Sequence, residues 1–262
     1  MDKRIHHTAL IAPKARIHKT VKIGPYSIVE EGVEIREGTT IGPHVHITGK
    51  TLIGKNNIVY TGAALGGPPQ DQKYEGENTR LRIGEGNVIR EHVTLHRSNS
   101  IKEDTTIGSR NYFMANSHVG HNARIGNENV LANGALVGGH AEIADKVFLS
   151  GNCAVHQFVR IGPVAMMQGN AAISQDLPPY TMAYGVNKIC GLNVVGLRRA
   201  GFTTEQRQEL QYHYKQIFLS GTSIAKAARE ALNQSPGEKA RELLEFIVES
   251  KRGVCSHASR KH

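Results

Sequence analysis

Residues 107–143 read IGSRNYFMANSHVGHNARIGNENVLANGALVGGHAEI, and every sixth residue is apolar: Ile107, Phe113, Val119, Ile125, Leu131, Val137, Ile143. Followed outward in the same phase, the series runs back to Ile11 and on to Ile173; of 28 positions 26 are apolar, and only Asp71 and Glu77 break it. A period of six fits neither the 3.6 of a helix nor the two of an ordinary strand. It is one of the repeat lengths of parallel β-helices, in which each hexapeptide supplies a short strand and a turn. Three hexapeptides close a triangular coil of about 18 residues, so the stretch spells roughly nine coils. The glycines that follow the periodic residue (Gly24, Gly42, Gly54, Gly84, Gly108, Gly126, Gly162) are expected to let the backbone turn at each corner.

The remaining composition agrees with a thin aliphatic core. Trp is absent from the 262 residues and aromatics make up only 5%. A net charge of +9 points to an acidic partner or a phosphate-bearing substrate. Nucleic acid is not the expected partner, because no basic run is interleaved with aromatics and no reader motif appears. Cys153, Cys190 and Cys255 are too few and too scattered for a disulfide frame or a zinc cluster. Nowhere do 18 apolar residues stand together, and the amino terminus lacks the apolar run of a secretory signal. A cytoplasmic protein without an integral membrane segment is the expectation.

Two domains are expected. Residues 1–186 form the β-helix, interrupted by a polar, Pro/Gly-rich excursion at 67–82 that replaces one coil's worth of sequence between Leu65 and Ile83. Residues 187–262 form a small α-helical domain. Thr203 and Gln206 spell a capping box before a helix carrying Leu210, Tyr214, Ile217 and Phe218, with Ser220-Gly221 as its stop. A second helix is expected after Thr222 or Ser223, a third after Ser235-Pro236, and a loose tail from Cys255.

In a coil of about 18 residues, positions that far apart stack. His121 then lies under Gly139 and Gly139 under Gln157; Asn122 lies under His140, while Gly120 and Gly138 sit below His156. Downward, the His121 column is expected to pass through Glu103 and Glu85 to Gly67, where the excursion bearing Asp71 and Lys73 departs. Imidazole is the usual general base near neutral pH, and stacked glycines leave backbone N–H groups able to reach an oxyanion. That combination points to acyl transfer. A metal site is the competing reading of the same histidines, but its ligands must converge at about 2 Å on one point, and these three are staggered by coil and by residue.

Beyond the repeat, Gln70-Asp71-Gln72-Lys73-Tyr74, the run from Asn116 to Asn122, Gly138-Gly139-His140, Ala154-Val155-His156-Gln157-Phe158, the run from Gln175 to Tyr180 and the run from Gly191 to Arg199 occur in that order. In these motifs the chain resembles the UDP-N-acetylglucosamine O-acyltransferases that begin lipid A synthesis, within the hexapeptide acyltransferase superfamily. The resemblance covers nearly the whole chain. It implies a left-handed β-helix, against the usual crossover hand, and a homotrimer with active sites between subunits. It also implies transfer of a 3-hydroxyacyl group from acyl carrier protein to the sugar 3-position, with the phosphopantetheine thioester as co-substrate and no other cofactor. Carried over by position, His121 is the general base and Gly139 supplies the N–H that faces the thioester oxyanion. Asp71, Lys73, His118, His140, His156 and Gln157 line the substrate groove, Asn193 and Arg199 hold the nucleotide or the pantetheine arm, and Gly169 sets acyl length, a glycine there favouring a longer chain.

Three positions depart from the family's usual pattern: Asn122 follows the base where Asp is common, Arg97-Ser98-Asn99 replaces Arg-Gly-Thr, and Ala200 stands where a second basic residue is frequent. In the second of these, Ile101 keeps the period and reads as core. Alternatives to the O-acyltransferase are the same chemistry on a 3-amino UDP-sugar, a later N-acyltransferase, a coenzyme A-dependent acetyl- or succinyltransferase, and a non-enzymatic β-helical scaffold.

Overall fold

The computed structural model describes residues 4–257. Strands of two to four residues stack in parallel into three sheets, the faces of a triangular prism. The first face holds nine strands, from Leu10–Ile11 to Ala172–Ile173, and the second holds eight, from Arg16–Ile17 to Arg160–Ile161. The third face runs from Lys22–Ile23 to Met166–Met167. It continues with Thr181–Tyr184, the antiparallel Lys188–Leu192, and Ser256–His257. The periodic residues are buried as expected from Ile23 to Ile173, apart from Asp71, Glu77 and one other taken up below.

A second buried column stands two residues before each periodic position, and it is partly polar: Ser27, Thr39, Thr51, Asn57, Asn87, Asn111 and Asn129 are all at most 1% exposed. The asparagines form a ladder. The N–H of Asn87 donates to Asn57 Oδ1 (2.8 Å), that of Asn111 to Asn87 Oδ1 (2.9 Å) and that of Asn129 to Asn111 Oδ1 (2.8 Å). Each amide thus satisfies a backbone donor that the corner leaves without a carbonyl. Replacing Asn87 with alanine should strand the buried Asn111 N–H and cost about 1–3 kcal/mol, read as a lower urea midpoint at unchanged m-value.

The corner glycines have a different purpose from the one their spacing suggests. None of Gly24, Gly42, Gly54, Gly84, Gly108, Gly126 and Gly162 is among the glycines of positive φ. A Cβ on Gly54 would lie 2.4 Å from the Gly84 carbonyl oxygen, and one on Gly108 would lie 2.4 Å from that of Gly126. These glycines let successive coils approach. The turn itself is made two residues later, where Tyr26, His44, Asn56, Arg110, Glu128 and Val164 all have positive φ.

Most coils keep a register of 18, as in Val119 against Val137. Leu65, however, pairs with Leu95, and Leu95 with Val119, so one coil is longer by twelve residues and the next by six. The first excursion occupies 68–79, since Ala64–Gly67 and Arg80–Ile83 are strands at its two ends. It is therefore shorter than 67–82 and lengthens a coil rather than replacing one. The second lies between His96 and Thr105. It holds Ile101, which is 66% exposed: its place in the period is a coincidence of a six-residue insertion.

Four helices follow among the described residues: α1 (Val194–Arg199), α2 (Thr204–Phe218), α3 (Ile224–Leu232) and α4 (Glu238–Glu249). The capping box of Thr203 and Gln206 is formed at α2, and Ser223 is the N-cap of α3. Helix starts later than Val186, which lies in the turn of a hairpin: residues 188–192 are strand because Ile189 and Leu192 complete the prism core. The start of the tail is not loose, since Cys255 is buried and Ser256–His257 pairs with the hairpin; residues 258–262 lie outside the described residues. The Tyr180 hydroxyl donates to the Glu242 carboxylate of α4 and the Ser250 hydroxyl to Asp176 Oδ2, which fasten the helices to the prism.

Candidate active site

At the corner between the first and second faces, the stacking count brings together most of the residues singled out above. His140 N–H donates to the His121 carbonyl (2.9 Å) and Phe158 N–H to that of Gly139 (3.0 Å), so His121, Gly139 and Gln157 occupy successive coils. Below His121 the column differs from the count. Arg97 lies beneath it, not Glu103, and the Arg97 N–H donates to the Gly67 carbonyl. The two lengthenings together equal one coil, which is why the count nevertheless ends on Gly67.

His121 Nδ1 lies 2.9 Å from Asn122 Oδ1. Its other edge faces Gly139: a Cβ there would lie 2.9 Å from both Cε1 and Nε2. Gly139 stands two residues after a periodic residue, the same position that Pro13, Pro25, Pro43 and Pro163 occupy in other coils. The repeat makes no use of an N–H there, and proline has none to offer. Gly139 therefore presents an N–H that donates to no other group among the described residues.

Three neighbouring histidines are pushed toward the neutral form. Burial, then the neighbouring His96 and His121, push His118 down to about 4, and its Nδ1 lies 2.8 Å from the Thr94 hydroxyl. Burial also lowers His96, whose Nδ1 donates to the Pro68 carbonyl (2.6 Å), and His140, which stacks on Phe158 at 4.6 Å. Depressed histidines contribute stability that is complete above the unfolded value near 6.5 and is lost as pH falls toward 4. The melting temperature should thus fall between pH 7 and pH 4.5, and less steeply in His118→Gln.

The excursion returns to this corner. Arg97 donates to the Gly66 carbonyl (2.7 Å) and to the Tyr74 hydroxyl (3.1 Å), and Asn99 Nδ2 donates to Asp71 Oδ2 (2.7 Å). The Lys73 N–H and the Asn99 amide hold the Asp71 carboxyl below the usual carboxylate range. Lys73 itself is exposed beside it. From the corner a groove of about 640 Å³ crosses the first face, lined by Gln70, His118, Leu136, His156, Ala172 and Val186. His156 Nδ1 lies 3.0 Å from the Gln157 carbonyl, and Gln157 is exposed above Gly139.

Three predicted residues lie elsewhere. Gly169 sits at the far corner of the first face, where a Cβ would meet only the Gly151 carbonyl oxygen, at 3.6 Å. Asn193, just before α1, and Arg199, its last residue, lie on the third face beside a hollow that also includes Phe148, Met166 and Met182. Asn193 is the helix N-cap: its Oδ1 accepts from Gly196 N–H (2.9 Å) and its Nδ2 donates to the Val164 carbonyl (2.8 Å). A single chain does not bring these two residues to His121.

A family model described as Udp N-acetylglucosamine O-acyltransferase, Domain 2, matches residues 176–255, and the bacterial transferase hexapeptide repeat matches 14–49 and 104–139. The acyl-[acyl-carrier-protein]–UDP-N-acetylglucosamine O-acyltransferase of Thermodesulfovibrio yellowstonii is 44% identical over 96% of this chain and 98% of its own. The chain belongs to this O-acyltransferase family. The Aquifex aeolicus member is 56% identical over 76% of this chain and 77% of its own. The UDP-N-acetylglucosamine acyltransferase structure from Bacteroides fragilis superimposes with a TM-score of 0.91 at 35% identity, covering 95% of this chain and 99% of that one. The family's left-handed parallel β-helix with a small helical part is the fold of this chain.

Within this O-acyltransferase, the sequence did not point to Ser98 and Asn99 as neighbours of the His121–Asn122 pair, because the six-residue insertion shifts the register that the count assumed. Phe158 and the apolar lining of the groove were also missed. The prolines two residues after the periodic position were a readable signal for the free N–H of Gly139. No helix among the described residues is long and apolar enough to cross a membrane.

Proposed function

We propose that this acyltransferase moves a 3-hydroxyacyl group from the phosphopantetheine thioester of acyl carrier protein to the 3-hydroxyl of UDP-N-acetylglucosamine, the first step of lipid A biosynthesis. The observation that carries the reading is the pairing of His121 Nε2 with the unengaged Gly139 N–H at the mouth of an apolar groove. His121 takes the proton of the sugar hydroxyl as its oxygen attacks the thioester carbon, and the Gly139 N–H meets the oxyanion. Such a donor is worth about 3 kcal/mol of barrier. The C–S bond then breaks and the thiolate recovers the proton from the imidazolium. His118, His140, His156, Gln157, Asp71 and Lys73 border the two substrates.

The outward residues of the faces support a homotrimer. Ile58, Val88, Tyr112, Val130, Phe148 and Met166 face outward on the third sheet, and Leu136, Ala154 and Ala172 on the first, while the second presents Arg16, Glu34, Arg82, Arg124, Glu142 and Arg160. Two adjacent apolar faces and one charged face suit a closed heterologous ring rather than a two-fold dimer. In that ring Asn193 and Arg199 of one copy approach the His121 edge of the next, where they hold the nucleotide or the pantetheine arm. No metal or other cofactor takes part in these steps.

The test offers the purified protein acyl-carrier proteins of several chain lengths with UDP-N-acetylglucosamine or its 3-amino analogue, and identifies products by mass. An ester with the natural sugar supports the reading; an amide alone would replace it with the N-acylating alternative. The Gly169→Met variant should fold normally, because an added Cβ meets nothing closer than 3.6 Å and the backbone there is not in the positive-φ region, and it should prefer acyl chains several carbons shorter. An unchanged length preference would remove Gly169 from the groove's end.

A further inference from the structure

Resting on the reading of His121 as the base, the geometry points to Ser98 and Asn99 as positioning residues that lock the amide of Asn122, and through it hold His121 as the Nδ1–H tautomer with Nε2 bare. Amide oxygen and nitrogen are told apart by their partners, and two independent contacts do so here. The Asn99 backbone N–H lies 3.0 Å from one heteroatom of the Asn122 amide, so that atom is the accepting oxygen. The other heteroatom lies 2.8 Å from Ser98 Oγ. Ser98 spends its single proton on the Ser100 carbonyl (2.9 Å), leaving its oxygen able only to accept. The atom facing it is therefore the donating nitrogen.

The oxygen so fixed is the one that lies 2.9 Å from His121 Nδ1. An oxygen with no proton of its own requires the proton on Nδ1, which leaves Nε2, beside Gly139, with its lone pair. Asn122 is 2% exposed, and its backbone N–H donates to Thr105 Oγ1 (2.7 Å), so no water competes for the amide and its backbone is pinned. Asn99 also donates its side chain to Asp71 Oδ2 (2.7 Å). One residue therefore joins the carboxylate of the excursion to the amide behind the base. The tether is neutral: the ionisable groups facing the His121 ring are Asp71 from the excursion, His96 and His118 from the first face, and His140 from the coil above. Glu103, from the second insertion, acts on His140, and Arg97 acts on His96.

The test has two arms. Imidazole ¹⁵N shifts of His121, assigned by comparison with His121→Gln, report the tautomer without any substrate. The intact protein should show Nδ1–H at neutral pH. Asn122→Gly, unstrained at this positive φ, should show a mixture, with kcat lowered about tenfold or more, within the 10²–10⁴ a general base contributes, and KM little changed. Ser98→Ala should shift the ring the same way to a smaller degree. Asn122→Asp keeps shape and adds a carboxylate, so the acid limb of kcat/KM should move up by about one pH unit or more. An Nε2–H ring in the intact protein, or an acid limb unmoved in Asn122→Asp, overturns the proposal. Absence of any acyl product from the intact protein would instead overturn the functional reading, and leaves the tautomer measurement standing on its own.

Discussion

Replacing His121 with alanine should abolish acyl transfer, lowering kcat by about 10²–10⁴, while leaving the fold and assembly state intact. The loss is chemical because the ring supports little else. Its Nδ1 contact is one of two to Asn122 Oδ1, and the amide oxygen keeps the Asn99 N–H when the imidazole goes. Nor can the other histidines replace it. His118, pushed down to about 4, is too weak a base at neutral pH, His140 is stacked against Phe158, and His156 lies a full coil above Gly138. Product mass, circular dichroism and light scattering on the same preparation decide the matter. Near-normal turnover by a folded variant would reassign the base.

How far the sequence alone reached depends on whether a position was read through one repeat or across several. The periodic column from Ile23 to Ile173, the capping box at Thr203 and the stacking of His121, Gly139 and Gln157 all rest on local spacing, and they stand in the structure. What failed were statements that needed the register below Val119. Ile101 satisfies the period yet sits on the surface, because an insertion of six residues is invisible to a count in sixes. Glu103 and Glu85 were placed under His121 for the same reason. The asparagine ladder was missed because a polar residue two places before an aliphatic one reads as an exposed position until the backbone donor it satisfies is known. The corner glycines were legible as necessary but not for the right cause: close approach between coils and positive φ both call for glycine, and the sequence does not separate them.

Gly139→Ala is the substitution that tests the site's geometry most directly. Gly139 is not in the positive-φ region, so alanine meets no backbone penalty. Its Cβ would instead lie 2.9 Å from His121 Cε1 and Nε2 and 3.2 Å from the His121 carbonyl oxygen. The far end of a side chain can swing, so stability should fall by only about 1–3 kcal/mol. The swing takes Nε2 from the sugar hydroxyl, and a displacement near 1 Å is enough for about a 10²-fold loss. If the imidazole is the cause, the two substitutions cannot add. Gly139→Ala combined with His121→Ala should be no slower than His121→Ala alone, and should recover part of the lost stability once the ring is gone. A double variant slower than His121→Ala would mean that the added methyl obstructs the site without the ring's help, since alanine keeps the N–H. A single variant with full activity would show that the ring has room the structure does not give it.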